Sequence, residues 1–404
     1  MLVSRTNLIR SLAALLIAAA PLAQAADPRI DGVPVPLNID PSDSASPFAG
    51  SWFGRWGSQW RTLMVVERIS RQKVEAVYAV GPRGDNKGAW RDVKGGVYGD
   101  KLLLDGPSYA LDFELRPSGR LRARYNEDQG FAIMSKGDLK SDRRWSFGSI
   151  EMTDTDLVEQ GKPVRLETVI YKPPGDGPFP LAVINHGSTG YGDNPAAFKY
   201  TVTNDWLADI LVERGWLVAF PQRRGRGGSG GVYDEGFTTD RTHYTCDAYR
   251  TLRGADRALD DISAVVDELR KRPDVEEGPI LISGVSRGGI LSVAWAGRNP
   301  DQTQGVVNFV GGWLGEGCGD AEEVNKKLFR SGGAYPRKTL WINGEDDTFY
   351  SLPCSRKNFA AFQDAGGQGA FHEFRVKGKN NGHWVHVIPT LWNDLLLGYL
   401  DDLK

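Results

Sequence analysis

Cysteine is scarce in this sequence, and the surroundings of the three cysteines are as informative as their number. Cys246, Cys318 and Cys354 form no C-x-x-C pair, and no group of cysteines and histidines at ligand spacing supplies the four ligands of a structural zinc site. A zinc site is therefore not expected. An oxidising compartment would allow one disulfide and one free thiol, and the spacing alone leaves the pairing open.

An excess of positive charge is also missing. Lysine and arginine together number 49 against 51 aspartates and glutamates, which gives a formal net charge of -2. Nucleic acids and anionic membrane surfaces attract proteins with a basic excess, so neither is expected as a partner. A small or neutral substrate fits this charge better.

Long hydrophobic runs are absent too, apart from a short one near the start. Two arginines precede the apolar run 11–20, and the Ala-Gln-Ala tripeptide at 23–25 has the pattern of a cleavage site. The run is shorter than the roughly 20 residues that a membrane-spanning helix needs. Residues 1–25 are therefore predicted to be a signal peptide, with a periplasmic or secreted mature chain that has no integral membrane segment.

The remaining composition is sufficient for two globular units, because 40% of the 404 residues are hydrophobic and 10% are aromatic. Residues 26–47 are rich in proline, aspartate and serine and are predicted to be an extended linker. Residues 48–137 show short alternating runs separated by turn residues, which predict an antiparallel β-sheet or barrel.

The opening of this β unit, with Gly50 and Trp52, resembles the G-x-W start of lipocalin-like barrels. Two interpretations of its tryptophans are open. They could form an aromatic surface that holds a sugar or an apolar ligand, or they could fill the core. The second interpretation is the commoner one for large aromatic residues and is favoured.

The pattern changes near residue 165, after a predicted connecting segment at 138–164. From 165 to 404, predicted strands at 165–172, 181–185, 217–221, 280–285, 305–310, 339–343 and 371–376 alternate with helices at 206–214, 253–271, 288–297, 356–364 and 387–403. This alternation predicts an α/β domain with a doubly wound, mostly parallel sheet. Such sheets carry their chemistry at the C-terminal ends of the strands.

One strand–turn–helix segment carries the strongest chemical signal. The apolar strand ends in Gly284-Val285-Ser286-Arg287-Gly288, a G-x-S-x-G nucleophile elbow, and a helical segment follows. So sharp a turn excludes side chains at the two glycines and directs the serine outward at a helix N-terminus, where the dipole favours negative charge. Ser286 is therefore predicted to be a nucleophile.

From residue 165 to 404 the chain resembles the α/β-hydrolase superfamily, closest to its dienelactone-hydrolase-like and prolyl-oligopeptidase-like serine hydrolases. The resemblance implies an oxyanion hole formed by two backbone N–H groups, one after the serine and one after an early strand. Those positions are Arg287 and Ser188, the second of which follows the strand ending in His186-Gly187. His186 is expected to hold this loop by hydrogen bonding rather than to catalyse.

The same resemblance implies the triad order serine, acid, histidine. The strand 340–343 runs into Gly344, and the family's acid usually stands three residues after this glycine, which selects Asp347. Asp346 and Glu345 are the alternatives.

The base must follow the acid, which leaves three of the five histidines. His383 lies in a predicted loop before the last helix and resembles the family's Gly-His, so it is the predicted base. His386 is its main rival, and His372 falls within a predicted strand.

A literal G-x-G-x-x-G at 225–230 suggests dinucleotide binding, but such a site needs a helix opening there and none is predicted. The run instead resembles the Arg-Gly-x-Gly-x-Ser loop of prolyl-oligopeptidase-like hydrolases. Its neighbours Arg223 and Arg224 could be solvated, could pair with Asp234 or Glu235, or could bind a substrate carboxylate.

Two longer insertions, about 233–250 and 313–335, are expected to project over the C-terminal edge of the sheet and to shape the substrate pocket. The hydrolase resemblance places Cys246 and Cys318 in loops near this edge, which weakly favours a disulfide between them.

The expected function is that of an exported serine hydrolase, which cleaves a small-molecule carboxylic ester through an acyl-enzyme on Ser286 without a metal or organic cofactor. One alternative is a prolyl-oligopeptidase-like peptidase, although the β unit is far too short for a full propeller. The other is a non-catalytic ligand-binding protein that retains the hydrolase fold. The sequence determines neither the substrate nor the oligomeric state.

Overall fold

The computed structural model describes residues 29–37, 45–57, 60–83, 85–106, 108–126, 130–139, 146–189, 194–376 and 381–403. The predicted signal peptide lies outside the described residues. Part of the predicted linker is a short hairpin of β1 (Arg29–Ile30) and β2 (Val33–Pro34). An ion pair of 2.6 Å between Asp31 and Arg61 attaches this hairpin to the unit that follows.

The first unit is a closed antiparallel barrel of eight strands in the described part of the chain. Its strands are β3 (Gly50–Trp56), β4 (Trp60–Ser70), β5 (Lys73–Val80), β6 (Ala89–Tyr98), β7 (Lys101–Asp105), β8 (Ala110–Leu115), β9 (Leu121–Tyr125) and β10 (Gly130–Lys136). Pairing of β10 with β3 closes the barrel, so its strands leave no open edge.

The tryptophans at the start of the barrel lie in its core. Trp52 is buried, and its indole N–H donates to the backbone carbonyl of Phe48 at 2.8 Å. Trp56 is also buried and hydrogen-bonds to the hydroxyl of Tyr78. These two side chains therefore fill the barrel and do not form an exposed aromatic surface.

The second unit is an eight-stranded sheet in the order β11-β12-β14-β13-β15-β16-β17-β18. Its strands are β11 (Ser149–Glu159), β12 (Lys162–Tyr171), β13 (Leu181–Asn185), β14 (Leu217–Pro221), β15 (Ile280–Val285), β16 (Thr303–Phe309), β17 (Lys338–Gly344) and β18 (Gln368–Phe374). The pairs β11-β12 and β12-β14 are antiparallel, and the other pairs are parallel. The prediction of an α/β-hydrolase fold preceded by a small antiparallel β domain is confirmed.

The sheet begins earlier than the sequence predicted, because residues 149–159 of the predicted connecting segment 138–164 form the edge strand β11. No residue of β11 is fully buried. An edge strand without buried positions lacks the apolar signal on which strand prediction depends.

Helices cover both faces of the sheet. They are α1 (Pro195–Phe198), α2 (Asp205–Glu213), α3 (Ala248–Leu269), α4 (Arg287–Arg298), α5 (Ala321–Ser331), α6 (Leu352–Asp364) and α7 (Pro389–Asp401), with 3₁₀ turns at Pro300–Gln302, Gly332–Ala334 and Gly382–Val387. Helices α3, α4 and α5 pack on one face, and α2 and α7 pack on the other. In the described part of the chain, none of these helices combines the length and the apolar character needed to cross a membrane.

The barrel contacts the second unit through helix α2. The fully buried carboxylate of Asp209 accepts hydrogen bonds from Arg120 and Arg122 of the barrel, each at 2.7 Å. Asp205 at the start of the helix pairs with Arg55 of β3 at 3.0 Å. Because α2 lies on one face of the sheet, the barrel reaches this unit from that face.

Candidate active site

Ser286 occupies the sharp turn between β15 and α4. Its backbone has φ 57° and ψ -122°, a conformation rare for a residue with a side chain, and its N–H donates to the carbonyl of Phe309 at 2.9 Å. A Cβ at Gly284 would lie 2.3 Å from the backbone of Gly288, and one at Gly288 would lie 2.1 Å from the carbonyl oxygen of Asn185. Both glycines are therefore required by close backbone contacts.

The predicted acid and base are in direct contact. The Nδ1 atom of His383 lies 2.8 Å from Oδ2 of Asp347. The other carboxylate oxygen accepts the backbone N–H groups of Phe349 and Tyr350, at 2.8 and 3.0 Å. An Nδ1–H that donates to this carboxylate leaves Nε2 of His383 able to accept a proton.

The alternative acids and bases do not make this contact. Asp346 occupies a turn position with φ 56°, and the backbone N–H of Glu345 donates to Phe374 in β18. His386 places its Nδ1 atom 2.9 Å from the carbonyl oxygen of His383.

Tyr350, which the sequence analysis missed, lies next to both Ser286 and His383. Burial raises the pKa of Tyr350 to about 12, and the charge of Arg287 and a hydrogen bond with Ser286 oppose the rise. Its ring centroid is 5.8 Å from that of His383. Among the hydrogen bonds of the described residues, none joins Ser286 to His383 directly, and Tyr350 lies beside both side chains.

The two predicted oxyanion donors both have free backbone N–H groups within the described residues. Arg287 is the first residue of α4, where backbone N–H groups have no partner inside the helix. Ser188 lies in the loop after β13. This loop runs beside the nucleophile, since a Cβ on Gly187 would lie 3.8 Å from Oγ of Ser286.

His186 holds the same loop. Its Nδ1 atom lies 2.7 Å from the carbonyl oxygen of Gly187, and its Nε2 accepts the backbone N–H of Arg223 at 3.1 Å. These two bonds require a neutral ring with its proton on Nδ1. Burial, together with the charges of Arg223 and Arg226, lowers the pKa of His186 well below 6.5.

This depressed pKa predicts a loss of stability in acid. Below pH 6.5 the unfolded chain protonates His186 and the folded chain does not, so folding stability falls as the pH decreases. When the pH is lowered from 7 to 5.5, the free energy of unfolding of wild type is expected to fall by about 1 kcal/mol more than that of His186→Gln. Urea titrations at both pH values measure it, with His243→Gln, which removes an exposed imidazole, as control. An equal acid sensitivity in wild type and His186→Gln would contradict the prediction.

Of the three possibilities for Arg223 and Arg224, ion pairing is the one that the structure shows. Arg223 pairs with Glu235, as one of the alternatives predicted. Arg224 pairs with Asp261 of α3, a partner that sequence reasoning did not consider. Both arginines are buried, so neither is solvated.

The side chain of Arg287, the residue after the nucleophile, is enclosed by two aromatic rings and the backbone of Glu235. Its guanidinium carbon lies 3.6 Å from the ring centroid of Tyr244 and 4.2 Å from that of Trp313. Its Nη1 donates to the carbonyl oxygen of Glu235 at 2.7 Å. The two aromatic rings come from the two insertions, which thus meet above the sheet.

A disulfide between Cys246 and Cys318 joins these insertions, and Cys354 is a free thiol. The pair is the one that the resemblance favoured. The bond closes a loop with a sequence separation of 72 residues, which restricts the unfolded chain substantially.

Replacement of both disulfide cysteines by serine is expected to lower the free energy of unfolding by about 2–4 kcal/mol. Urea unfolding of the double variant measures this, with Cys354→Ser as the matched control. An unchanged unfolding midpoint in the double variant would show that the insertions stay together without the bond.

A comparison with protein families matches the region that holds most of this site. A sequence profile of the X-Pro dipeptidyl-peptidase (S15) family matches residues 160–362. This range includes Ser188, Ser286 and Asp347 and ends before His383. No curated protein sequence matches the chain.

Several solved structures resemble part of the chain. Est1E from Butyrivibrio proteoclasticus, with ferulic acid bound, is 15% identical over 62% of this chain and 99% of its own, with a TM-score of 0.43. The esterase Pf2001 from Pyrococcus furiosus is 13% identical over 63% and 90%, with a TM-score of 0.45. Acetyl xylan esterase 1 from Thermoanaerobacterium sp. JW/SL YS485 is 18% identical over 64% and 88%, with a TM-score of 0.40.

Proposed function

Because this chain belongs to the X-Pro dipeptidyl-peptidase (S15) family and is a serine hydrolase, we propose that it cleaves carboxylic esters of small molecules through an acyl-enzyme on Ser286. The observation that carries the proposal is the contact between His383 and Asp347 at the same edge of the sheet as the Ser286 turn. A serine hydroxyl needs such an oriented base to become a nucleophile.

In the proposed mechanism, Nε2 of His383 takes the proton of Ser286 as its oxygen attacks the ester carbonyl. The backbone N–H groups of Ser188 and Arg287 then donate to the oxyanion. The protonated histidine, stabilised by Asp347, gives its proton to the departing alcohol. Water attacks the acyl-enzyme in the same way, which releases the acid and restores the serine.

The family name raises a second candidate, cleavage of peptides after an X-Pro pair. A dipeptidyl-peptidase accepts a substrate with a free N-terminal ammonium group, which needs negative charge in the site. The buried side chains of Arg223 and Arg287 lie next to Ser286 and share the single carboxylate of Glu235. This cationic environment disfavours an ammonium group and supports the choice of esters.

Fluorophosphonate labelling with peptide mass spectrometry tests the nucleophile, and a comparison of 4-nitrophenyl acetate with Gly-Pro-4-nitroanilide tests the substrate class. We expect the label on Ser286 and turnover of the ester without release from the anilide. A labelled protein that prefers the anilide would be a peptidase. A folded protein with neither label nor turnover would instead support the non-catalytic ligand-binding alternative.

Export is a further part of the proposal, with the protein acting in the periplasm or outside the cell. The signal-like segment 1–25 and the Cys246–Cys318 disulfide support this, because disulfides persist in oxidising compartments. The protein recovered from periplasm or medium is expected to start near Ala26 by N-terminal sequencing. A full-length chain confined to the cytosol would contradict export.

A further inference from the structure

Three buried arginines, Arg223, Arg226 and Arg287, lie around the hydrogen-bonded pair Tyr233 and Glu235, and we call them the arginine cluster. Each is 2–3% exposed. Arg223 donates to the carbonyl oxygen of His186 at 2.9 Å and to that of Gly187 at 3.3 Å. Arg287 directly follows Ser286. Two members of the cluster, Arg223 and Arg287, therefore border the loop and the turn of the candidate site.

The positive charge of this cluster is not balanced. Glu235 is the one carboxylate that pairs with it among the described residues, through Arg223 and, at 3.6 Å, through Arg287. Three buried guanidinium groups thus share one paired carboxylate. A buried charge without a partner is costly, so such an excess is unusual in a part of the protein that serves structure alone.

Within the described part of the chain, Arg226 is the member whose side chain has neither an ion pair nor a hydrogen bond. Its Nε and Nη1 atoms are buried and make no hydrogen bond, and no ion pair of Arg226 is present among the described residues. Its guanidinium carbon lies 5.8 Å from the ring centroid of Tyr233. Burial lowers the pKa of Arg226, the expected response of a cation with insufficient compensation.

Tyrosine hydroxyls connect the surroundings of Arg226 to the loop after β13, which carries Ser188. The hydroxyl of Tyr233 lies 2.9 Å from that of Tyr244, which in turn lies 3.1 Å from both the backbone nitrogen and the hydroxyl of Thr189. Thr189 directly follows Ser188. These contacts link the surroundings of Arg226 to the loop that carries Ser188.

We infer that the arginine cluster is a subsite for a carboxylate of the substrate, with Arg226 as its principal cation. This inference rests on the proposed function and narrows it to esters that also carry a free carboxylate. Guanidinium groups bind carboxylates through charge-assisted hydrogen bonds, and such a ligand would supply the missing negative charge. The sequence alone suggested Arg223 and Arg224 as possible ligands of a substrate carboxylate, but both are already paired with carboxylates of the protein. The inference therefore assigns the main contact to Arg226.

Two pairs of substrates test the inference, each with one charged and one neutral member. For the acyl side they are mono-4-nitrophenyl adipate and 4-nitrophenyl methyl adipate. For the leaving group they are 4-acetoxybenzoate and its methyl ester. In at least one pair, we expect wild type to hydrolyse the charged ester with a kcat/KM about 10-fold or more above that of the neutral ester. The two values are first corrected for the intrinsic reactivity of the esters. A 10-fold difference corresponds to about 1.4 kcal/mol.

Arg226→Gln is expected to bring this charged-to-neutral ratio close to 1, and Arg226→Lys to retain part of it. Arg298→Gln, which removes an exposed arginine paired with Asp256, is the matched control and should keep the wild-type ratio. The lysine variant and the wild-type ratio remain informative if the glutamine variant does not fold.

Hydrolysis of the neutral esters without any preference for the charged ones would overturn the inference and leave the proposed function intact. A wild-type ratio that persists in folded Arg226→Gln would also overturn it. If wild type hydrolyses none of the four esters and is not labelled by the fluorophosphonate, the proposed function and the inference are both wrong.

Discussion

Replacement of Ser286 by alanine is expected to lower kcat for aryl-ester hydrolysis by about 10⁴–10⁶-fold and to abolish fluorophosphonate labelling. The hydroxyl supplies the bond to the acyl group, and no neighbouring group can replace it in that position. Its loss leaves only the stabilisation by the oxyanion donors and by substrate binding. Ser286 has φ 57° and already carries a Cβ, so alanine adds no steric cost to this backbone conformation and the variant should fold.

Steady-state kinetics with 4-nitrophenyl acetate measure this effect, and active-site-directed labelling provides an independent readout. Ser331→Ala is the control, because it removes a hydroxyl at the end of α5, which is distant in sequence from the elbow. Full activity in Ser286→Ala would exclude the acyl-enzyme on this serine.

Replacement of Asp347 by asparagine is expected to lower kcat by about 10⁴-fold with little loss of folded protein. One oxygen of the side chain can still accept the backbone N–H groups of Phe349 and Tyr350, which preserves the turn. The other position would present an amide to His383 in place of the carboxylate at 2.8 Å. The amide favours the wrong tautomer of the imidazole and does not stabilise its protonated form.

Asp346→Asn is the matched control, because it makes the same chemical change one residue earlier. Asp346 has φ 56°, a conformation that asparagine tolerates well, so the fold and kcat should stay near wild type. A large loss of kcat in Asp346→Asn with an active Asp347→Asn would reassign the acid to the alternative residue.

Several features of the fold were within reach of the sequence because they depend on local spacing. The elbow around Ser286 is encoded by two glycines at fixed positions, and strands such as 181–185, 217–221 and 280–285 have the predicted bounds because each is a short, buried apolar run. The edge strand 149–159 and the helix 321–331 were missed. The first has no buried residue, and the second lies in an insertion predicted as a loop.

The contacts of the candidate site depended instead on the tertiary structure. A glycine pattern predicts a sharp turn, but it says nothing about which side chain the turn will meet. Packing of distant segments places Tyr350 beside Ser286 and Asp261 opposite Arg224. It also leaves Arg226 without an ion pair among the described residues.

By itself the sequence determined the α/β-hydrolase architecture, the β domain before it and the short set of residues from which a nucleophile, an acid and a base could come. Periodicity and turn chemistry act over a few residues and are readable in the chain. Only the tertiary structure decided which acid contacts which histidine, which cysteines join, and where positive charge is left uncompensated. Those outcomes depend on distances between residues far apart in sequence, and the folded backbone alone sets these distances.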